Sequence, residues 1–198
     1  MLFRSPEKIY LVPASGGVPV LATRDNPQRQ TYPSWASDGN SILFSGSDET
    51  GSNPALQILD LKNKAESQLP GSAGLYRGQI SPDGRYVIAL EDVSERLMLY
   101  DVTSRTTRTL AQQADYPRWS ADGQYAYFSS IYFSARGRTG GVYRWKLATN
   151  TTESVVKYPD FLLTGAYGVS YGLTPENEIL MLRDLSTRDL YALDMELP

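Results

Sequence analysis

The 198-residue chain contains no cysteine and no histidine. Disulfide bonds, metal sites built on Cys or His ligands, and catalytic units of the Ser-His-Asp or Cys-His type therefore cannot form from its own residues. A lack of thiols suits compartments on either side of a membrane, so the cysteine count does not indicate where the protein works. We expect no metal and no cofactor in this chain.

Charge of one sign and long apolar runs are also scarce. Nineteen Lys and Arg residues stand against 22 Asp and Glu residues, for a net charge of −3, which gives no electrostatic basis for nucleic acid as a partner. No apolar run approaches the ~18 residues of a membrane span. The apolar stretch at residues 9–12 is interrupted at once by Pro13 and two glycines, so we expect neither a signal peptide nor a membrane span in this segment.

A short phrase recurs along the chain. Its copies are WASDG at 35–39, ISPDG at 80–84 and WSADG at 119–123, with a degraded fourth copy, LTPEN, at 173–177. Each copy precedes an apolar run rich in β-forming residues. Asp-Gly between two such runs predicts a hairpin, because glycine accepts a positive φ without a Cβ clash. Asn177 takes that position in the fourth copy, and asparagine is the next most tolerant residue.

A second phrase follows each apolar run and sets the period. Its copies end at residues 13, 60, 101, 146 and 194, and a spacing of roughly 40–50 residues is that of a four-stranded propeller blade. The apolar runs are continuous rather than alternating, which requires burial on both faces, as in sheets that stack on one another. Sixteen glycines and 12 prolines without a collagen period indicate many turns.

The sequence therefore predicts an all-β chain: a β-propeller of four-stranded antiparallel blades, with about four and a half blades in one domain, 1–198. The predicted repeats are about 1–23 (incomplete), 32–72, 75–113, 116–159 and 161–198 (incomplete). Two arrangements stay open, the tail of a larger ring, which we favour, and an irregular five-bladed ring. An open arc exposes the apolar faces of its end blades, so we expect the chain alone to be marginally stable or to self-associate.

The repeats resemble those of the TolB-type β-propeller family, a relative of the WD40 repeat. Residues 80–84 and 97–101 closely match its signature of Ser-Pro-Asp-Gly and a later apolar-Tyr-x-x-Asp strand, with Met98 at the Tyr position, whereas Lys146 and Pro13 depart from the Asp position. The resemblance implies a binding module with a protein, a peptide or a small ligand as partner, next to upstream propeller blades or domains. It favours the periplasm over the cytoplasm.

The final stretch, residues 172–177, 182–184 and 190–194, is similar to the C-terminus of bacterial multidomain proteins. In those proteins a propeller follows a winged-helix DNA-binding domain or a protein-kinase domain. The resemblance implies that this chain is the distal part of such a sensor propeller. Neither a winged helix nor a kinase motif is present in the sequence, so neither activity is assigned to it.

Residues just before each first strand are expected at the mouth of the central channel. Tyrosine and arginine are favoured as interaction anchors, because they combine large contact area with hydrogen-bond donors. The predicted binding residues are Tyr32, Tyr76, Arg77, Tyr116, Arg118 and Tyr167. The alternative is that the Tyr-Pro pairs simply pack between blades.

A Gly-rich loop at 134–141 supplies a second candidate. Arg136 and Arg138 on this backbone are suited to a phosphate or a carboxylate, although the strand–loop–helix setting of a P-loop is missing. A solvated hairpin is the alternative interpretation. The Asp-Gly acids Asp38, Asp83 and Asp122 are read as turn caps rather than Ca²⁺ ligands, because each turn offers one acid.

These observations favour a non-catalytic binding or sensing module, or a protein–protein interaction module. Two enzymatic alternatives stay open. One is a carboxylate-based glycoside hydrolase, a chemistry that needs no histidine, and the other is the accessory propeller of a larger hydrolase carried on another chain. A purely structural segment that completes a ring is the remaining possibility.

Overall fold

The computed structural model describes residues 7–134, 137–158 and 171–182, and apart from a 3₁₀ position at Tyr158 the regular elements in these ranges are β-strands. Among these residues no helix is long and apolar enough to cross a membrane.

The strands form five antiparallel sheets in chain order. A first half-sheet has two strands, β1 (Tyr10–Leu11) and β2 (Val20–Leu21). Blade 1 consists of β3 (Arg29–Trp35), β4 (Ser41–Ser47), β5 (Ala55–Asp60) and β6 (Glu66–Ala73). Blade 2 consists of β7 (Leu75–Ile80), β8 (Tyr86–Glu91), β9 (Leu97–Asp101) and β10 (Thr106–Ala111). Blade 3 consists of β11 (Asp115–Trp119), β12 (Tyr125–Ser134), β13 (Gly137–Lys146) and β14 (Thr151–Lys157), and a last half-sheet has β15 (Tyr171–Leu173) and β16 (Ile179–Met181).

The Asp-Gly turns have the expected left-handed residue. Gly39, Gly84 and Gly123 have φ of 67°, 73° and 70°, and Asn177 has 66°. In blade 2 the amide of Gly84 donates to the carbonyl of Ser81 at 2.9 Å, while Asp83 is not among the positive-φ residues. The connection is thus a type I turn closed by a left-handed residue, rather than the two-residue mirror-image turn typical of Asp-Gly hairpins.

Apolar clusters lie between successive sheets and hold them in a stack. The second strands β4 and β8 are buried at every interior position, so each contributes to two clusters. Val87 and Ala89 of β8 pack against Leu43 and Leu56 of blade 1, whereas Ile88 and Leu90 pack against blade 3. Similar clusters join the first half-sheet to blade 1 and blade 3 to the last half-sheet. The prediction of sheets buried on both faces is confirmed.

The first strand of each blade is the innermost, since β7 contacts both β3 and β11. The outer strands β10 and β14 are exposed at most positions, which is the polar edge expected of a propeller blade. The three complete sheets span residues 29–73, 75–111 and 115–157. The predicted strand at 190–194 lies outside the described residues, so the extent of the incomplete repeats stays a prediction.

Candidate functional site

The inner strands share an irregularity at one position. The pairing of each with its second strand shifts register between Thr31 and Ser34, between Tyr76 and Gln79, and between Asp115 and Arg118. Each bulge contains a non-glycine residue with positive φ, namely Tyr32 (53°), Arg77 (52°) and Tyr116 (51°). Such a conformation costs about 1–3 kcal/mol per residue, and bulges turn a side chain out of the regular strand alternation.

These three side chains meet. The Arg77 guanidinium carbon lies 4.5 Å from the ring centroid of Tyr32 and 5.2 Å from that of Tyr116. It also lies 5.9 Å from the ring centroid of Tyr76, and the Tyr32 and Tyr76 rings meet edge to face at 6.1 Å. The three distances from the guanidinium carbon to the ring centroids are within the range of cation–π attraction. Four residues predicted to line the channel mouth are thus brought together, from three successive blades.

Asp115 completes the group and was not predicted. Its Oδ1 accepts hydrogen bonds from Arg77 Nη1 and from the Tyr116 amide. The alignment of the repeats contained the signal, because Asp115 takes the position before the bulge that Tyr76 takes in blade 2. We refer to Tyr32, Tyr76, Arg77, Asp115 and Tyr116 as the Arg77 cluster.

The guanidinium of Arg77 stays charged, and the cluster uses only some of its N–H donors. Its burial acts to lower the pKa, but the hydrogen bond with Tyr32 and the charge of Asp115 outweigh this effect and raise the pKa of Arg77. Nη2 donates to the Tyr32 hydroxyl at 3.1 Å, so two of the five N–H groups are used within the cluster. Nε is buried and has no acceptor among the described residues.

A cleft of about 340 Å³ adjoins the cluster, which is within the size range of small-ligand sites. Tyr32 and Tyr76 belong to both the cleft and the cluster. Hydroxyl groups of the cleft come from Thr31, Ser45 and Ser47. Ser45 Oγ accepts a hydrogen bond from the Arg77 amide at 2.9 Å. Two carboxyl-bearing residues, Glu7 and Asp92, also line this cleft, and Glu7 pairs with Arg29 at 2.8 Å.

The other predicted site residues are not part of this group. Arg118 is exposed on β11, and its positive charge acts on Tyr171 in the last half-sheet. Arg138 is on β13 opposite Phe133 in the hairpin that β12 and β13 form. Arg136 and Tyr167 lie outside the described residues.

The Asp-Gly acids cap their own turns. Asp83 Oδ1 accepts from Ser81 Oγ at 2.6 Å and from the Arg85 amide at 3.1 Å, and Asp122 is bound in the same way. The hydrogen bonds from the two serines, followed by those from the backbone, lower the pKa of both carboxyl groups. No cluster of three metal-ligating side chains occurs in the part of the chain that the structure describes.

Buried tyrosines beside the last half-sheet form a second unpredicted feature. Tyr158 and Tyr171 pack with Tyr127 and Val142, and the Tyr171 hydroxyl has no partner among the described residues. Burial raises the pKa of Tyr158 to about 12 and that of Tyr171 well above its ordinary value. Tyr171 lies two residues before the fourth copy of the repeat phrase, but the phrase does not include it, and neither tyrosine is part of a pattern that would have singled it out.

Comparison with known proteins identifies the architecture. No protein-family model matches the chain, and no curated protein matches it. Among solved structures, TolB from Acinetobacter baumannii is similar over 92% of this chain and 44% of its own, with a TM-score of 0.69 and 18% identity. A TolB candidate from Agrobacterium tumefaciens is similar over 76% of this chain and 56% of its own, with a TM-score of 0.62 and 20% identity.

An enzyme is also among the similar structures. An oligogalacturonate lyase in complex with manganese is similar over 77% of this chain and 48% of its own, with a TM-score of 0.54 and 17% identity. The chain thus spans about half the length of these solved proteins. At such low identity the likeness concerns the fold, and function has to be argued from the site. The chain is a partial β-propeller with the TolB-like fold.

Proposed function

We propose that the chain is a non-catalytic binding module whose ligand lies in the cleft and contacts the Arg77 cluster. One observation carries the proposal: three non-glycine residues in a costly backbone conformation, one from each blade, place their side chains at a single point. Strained residues that gather in this way mark sites where side-chain position matters more than local stability. Packing between blades alone does not require it, because β4 and β8 pack without positive φ.

The chemistry of the cluster favours a protein or peptide segment with a carboxylate. A guanidinium binds a carboxylate through two parallel N–H bonds, and flanking aromatic rings hold its plane fixed. Thr31 and Ser47 supply hydroxyl groups along the cleft, which suit the polar groups of a peptide backbone. Tyr32 is 42% exposed, so its ring is available to a ligand as well as to Arg77.

Paired peptides and paired variants test this function. A panel of short peptides with Glu or Asp, matched to the same peptides with Gln or Asn, is screened by thermal shift of the whole chain. Arg77→Gln should weaken binding of the acidic hits by about 10-fold or more, and Arg77→Lys should restore only part of it. Arg85→Gln is the control, because Arg85 also lies over a tyrosine, Tyr86, at 4.9 Å and beside an acid, Asp101, but in a turn away from the cleft.

The proposal fails if the acidic and amide peptides bind equally, or if Arg77→Gln binds as the parent chain does. Circular dichroism and the melting temperature of each variant distinguish loss of binding from loss of folding.

A carboxylate-based glycoside hydrolase has weaker support. The carboxylates of the cleft are Glu7 and Asp92, and Glu7 is already paired with Arg29. The likeness to oligogalacturonate lyase concerns the fold. Glu7→Gln and Asp92→Asn test this alternative, since any hydrolysis of oligosaccharides by the chain should disappear in both variants if these groups act as acid and base.

The wider setting stays a prediction. A place in a winged-helix or kinase sensor, a periplasmic location and a role as accessory propeller of a hydrolase all rest on resemblance. The genomic sequence upstream of the Met1 codon tests the first. Further propeller repeats after a DNA-binding or kinase domain would support it, and an unrelated gene there would count against it.

A further inference from the structure

The two ends of the stack expose positions that are buried in its middle. Val12 follows β1 and corresponds in the repeat to Leu59, Tyr100 and Trp145. Those three are 0%, 1% and 2% exposed and pack against the preceding sheet, whereas Val12 is 54% exposed. Tyr10, which shares this face of the first half-sheet, is 55% exposed. An apolar position kept at the end of the stack indicates a missing neighbour.

The exposure of Trp35, on the inner strand of blade 1, indicates the same missing neighbour. Trp35 corresponds to Trp119, which is partly buried against blade 2 and donates its indole N–H to the Gln79 carbonyl at 2.9 Å. Trp35 has no preceding inner strand among the described residues and is 57% exposed. We call Tyr10, Val12 and Trp35 the front surface.

The opposite end has a complementary surface. Leu180 of β16 pairs with Gly172 of the inner strand, as Leu43 pairs with Ser34 in blade 1 and Ile88 with Gln79 in blade 2. Leu43 and Ile88 are both 0% exposed between blades, yet Leu180 is 59% exposed. Its neighbours in the strand, Ile179 and Met181, face blade 3, so Leu180 and Leu182 share the outward face. We call Leu180 and Leu182 the back surface.

We propose that the front surface of one copy binds the back surface of a second copy, in a head-to-tail contact. The contact continues the series of apolar interfaces that already join the five sheets of one molecule. A net charge of −3 opposes it only weakly at physiological salt. Because different surfaces meet, the association is heterologous, and it closes into a ring or extends into a filament according to the angle between copies.

Two single variants and their mixture test this contact by analytical ultracentrifugation. The parent chain should increase in mass with concentration. Val12→Lys and Leu180→Lys should each weaken association by about 10-fold or more, because a lysine on either surface has to be desolvated. A mixture of the two variants should form a 1:1 complex that grows no further, since the intact back surface of the first binds the intact front surface of the second.

The matched control is Val20→Lys. Val20 is 65% exposed and pairs with Leu11, which packs against blade 1, so it lies on the other face of the same half-sheet. This variant should associate as the parent chain does. Tryptophan fluorescence gives a second readout, because burial of Trp35 on association should shift emission to shorter wavelength, and Trp35→Phe should remove the shift.

Three results would overturn the proposal. They are a parent chain that stays monomeric at all concentrations, a mixture of Val12→Lys and Leu180→Lys that remains monomeric while the parent associates, and an equal loss of association in Val20→Lys. All substituted positions are exposed, so the variants should fold, and circular dichroism checks that they do.

Discussion

At the scale of the residue, backbone strain has two different uses in this protein. Nine non-glycine residues among those that the structure describes have positive φ. Six lie in turns, where three are asparagine, the residue that tolerates this conformation best after glycine. The other three, Tyr32, Arg77 and Tyr116, lie in the inner strands. In the turns the conformation closes a connection between strands, and the three asparagines add side-chain hydrogen bonds, whereas in the inner strands the side chains form the Arg77 cluster.

The turn group allows a direct measurement of the strain. Lys64 has φ of 57° in the turn between β5 and β6, where blade 3 has Asn150 at the corresponding position with the same φ. Lys64→Asn should raise the free energy of unfolding by about 0.5 kcal/mol, because asparagine lowers the cost of the left-handed conformation. Urea unfolding at neutral pH measures it.

The same turn contains its own control. Lys62 is equally exposed but is not among the positive-φ residues. Lys62→Asn removes the same charge and should leave stability unchanged. An equal gain in both variants would show that charge, not backbone strain, is responsible.

At the scale of the element, the turns after the inner strands of blades 2 and 3 each depend on a buried serine, Ser81 and Ser120. Ser120 is fully buried, donates to Asp122 Oδ1 at 2.6 Å and accepts the Tyr125 amide at 2.9 Å. Ser120→Ala should lower the free energy of unfolding by about 1–2 kcal/mol, because the amide of Tyr125 is left without an acceptor. Thermal or urea unfolding of the variant checks this.

Blade 1 offers the reverse experiment, since Ala36 occupies the serine position there. Ala36→Ser supplies an acceptor for the Ser41 amide and a donor for Asp38, and should raise the free energy of unfolding by about 0.5–1 kcal/mol. A loss of stability in Ala36→Ser would mean that the first turn is packed differently from the other two.

The long hairpin of blade 3 depends on a glycine for a different reason. A Cβ at Gly141 would lie 1.9 Å from the Val156 carbonyl oxygen on the neighbouring strand, so Gly141→Ala forces β13 and β14 apart. We expect a loss of about 3 kcal/mol or more in the free energy of unfolding. Gly172→Ala is the control, because a Cβ there meets nothing closer than 3.8 Å, and its stability should change by less than about 0.5 kcal/mol.

The sequence predicted the elements better than the site. The repeated Asp-Gly phrase and the continuous apolar runs indicate turns and doubly buried strands directly, because these properties are local. The bulges at Tyr32, Arg77 and Tyr116 cannot be read from local pattern, since each is stabilised by contacts from neighbouring blades. The site was predicted as separate residues just before the inner strands, whereas Tyr32, Arg77 and Tyr116 lie within these strands. The part played by Asp115 became visible only once β7 and β11 were side by side.

At the scale of the whole molecule, the stack is a series of similar interfaces that ends at two exposed surfaces. In such an array each sheet is stabilised by its neighbours, so the end sheets are the least stable. The sequence predicted the stacking and the exposed ends, because the period and the apolar runs repeat. It could not predict that the interface between blade 3 and the last half-sheet contains tyrosines with buried hydroxyl groups. Tyr171 takes a position where the three blades have Pro or Gly, so the repeat pattern gives no signal for it.

Those tyrosines make the last interface sensitive to alkali. Burial raises the pKa of Tyr158 to about 12 and raises that of Tyr171 well above the ordinary value of 10.0. The folded state therefore holds their protons when the unfolded chain has released them. The stability that they contribute is fully present below pH 10 and is lost as the pH rises from there through the folded pKa values.

Tyr171→Phe separates this effect from packing. At neutral pH the variant should gain about 1 kcal/mol in the free energy of unfolding, because it removes a buried hydroxyl group without a partner among the described residues. Between about pH 10 and 12 its stability should fall less steeply than that of the parent chain. Urea unfolding over this range measures both, with the exposed Tyr10→Phe as a control that should follow the parent curve. A variant that loses stability at neutral pH would show that the Tyr171 hydroxyl is hydrogen-bonded in the folded protein and would contradict this prediction.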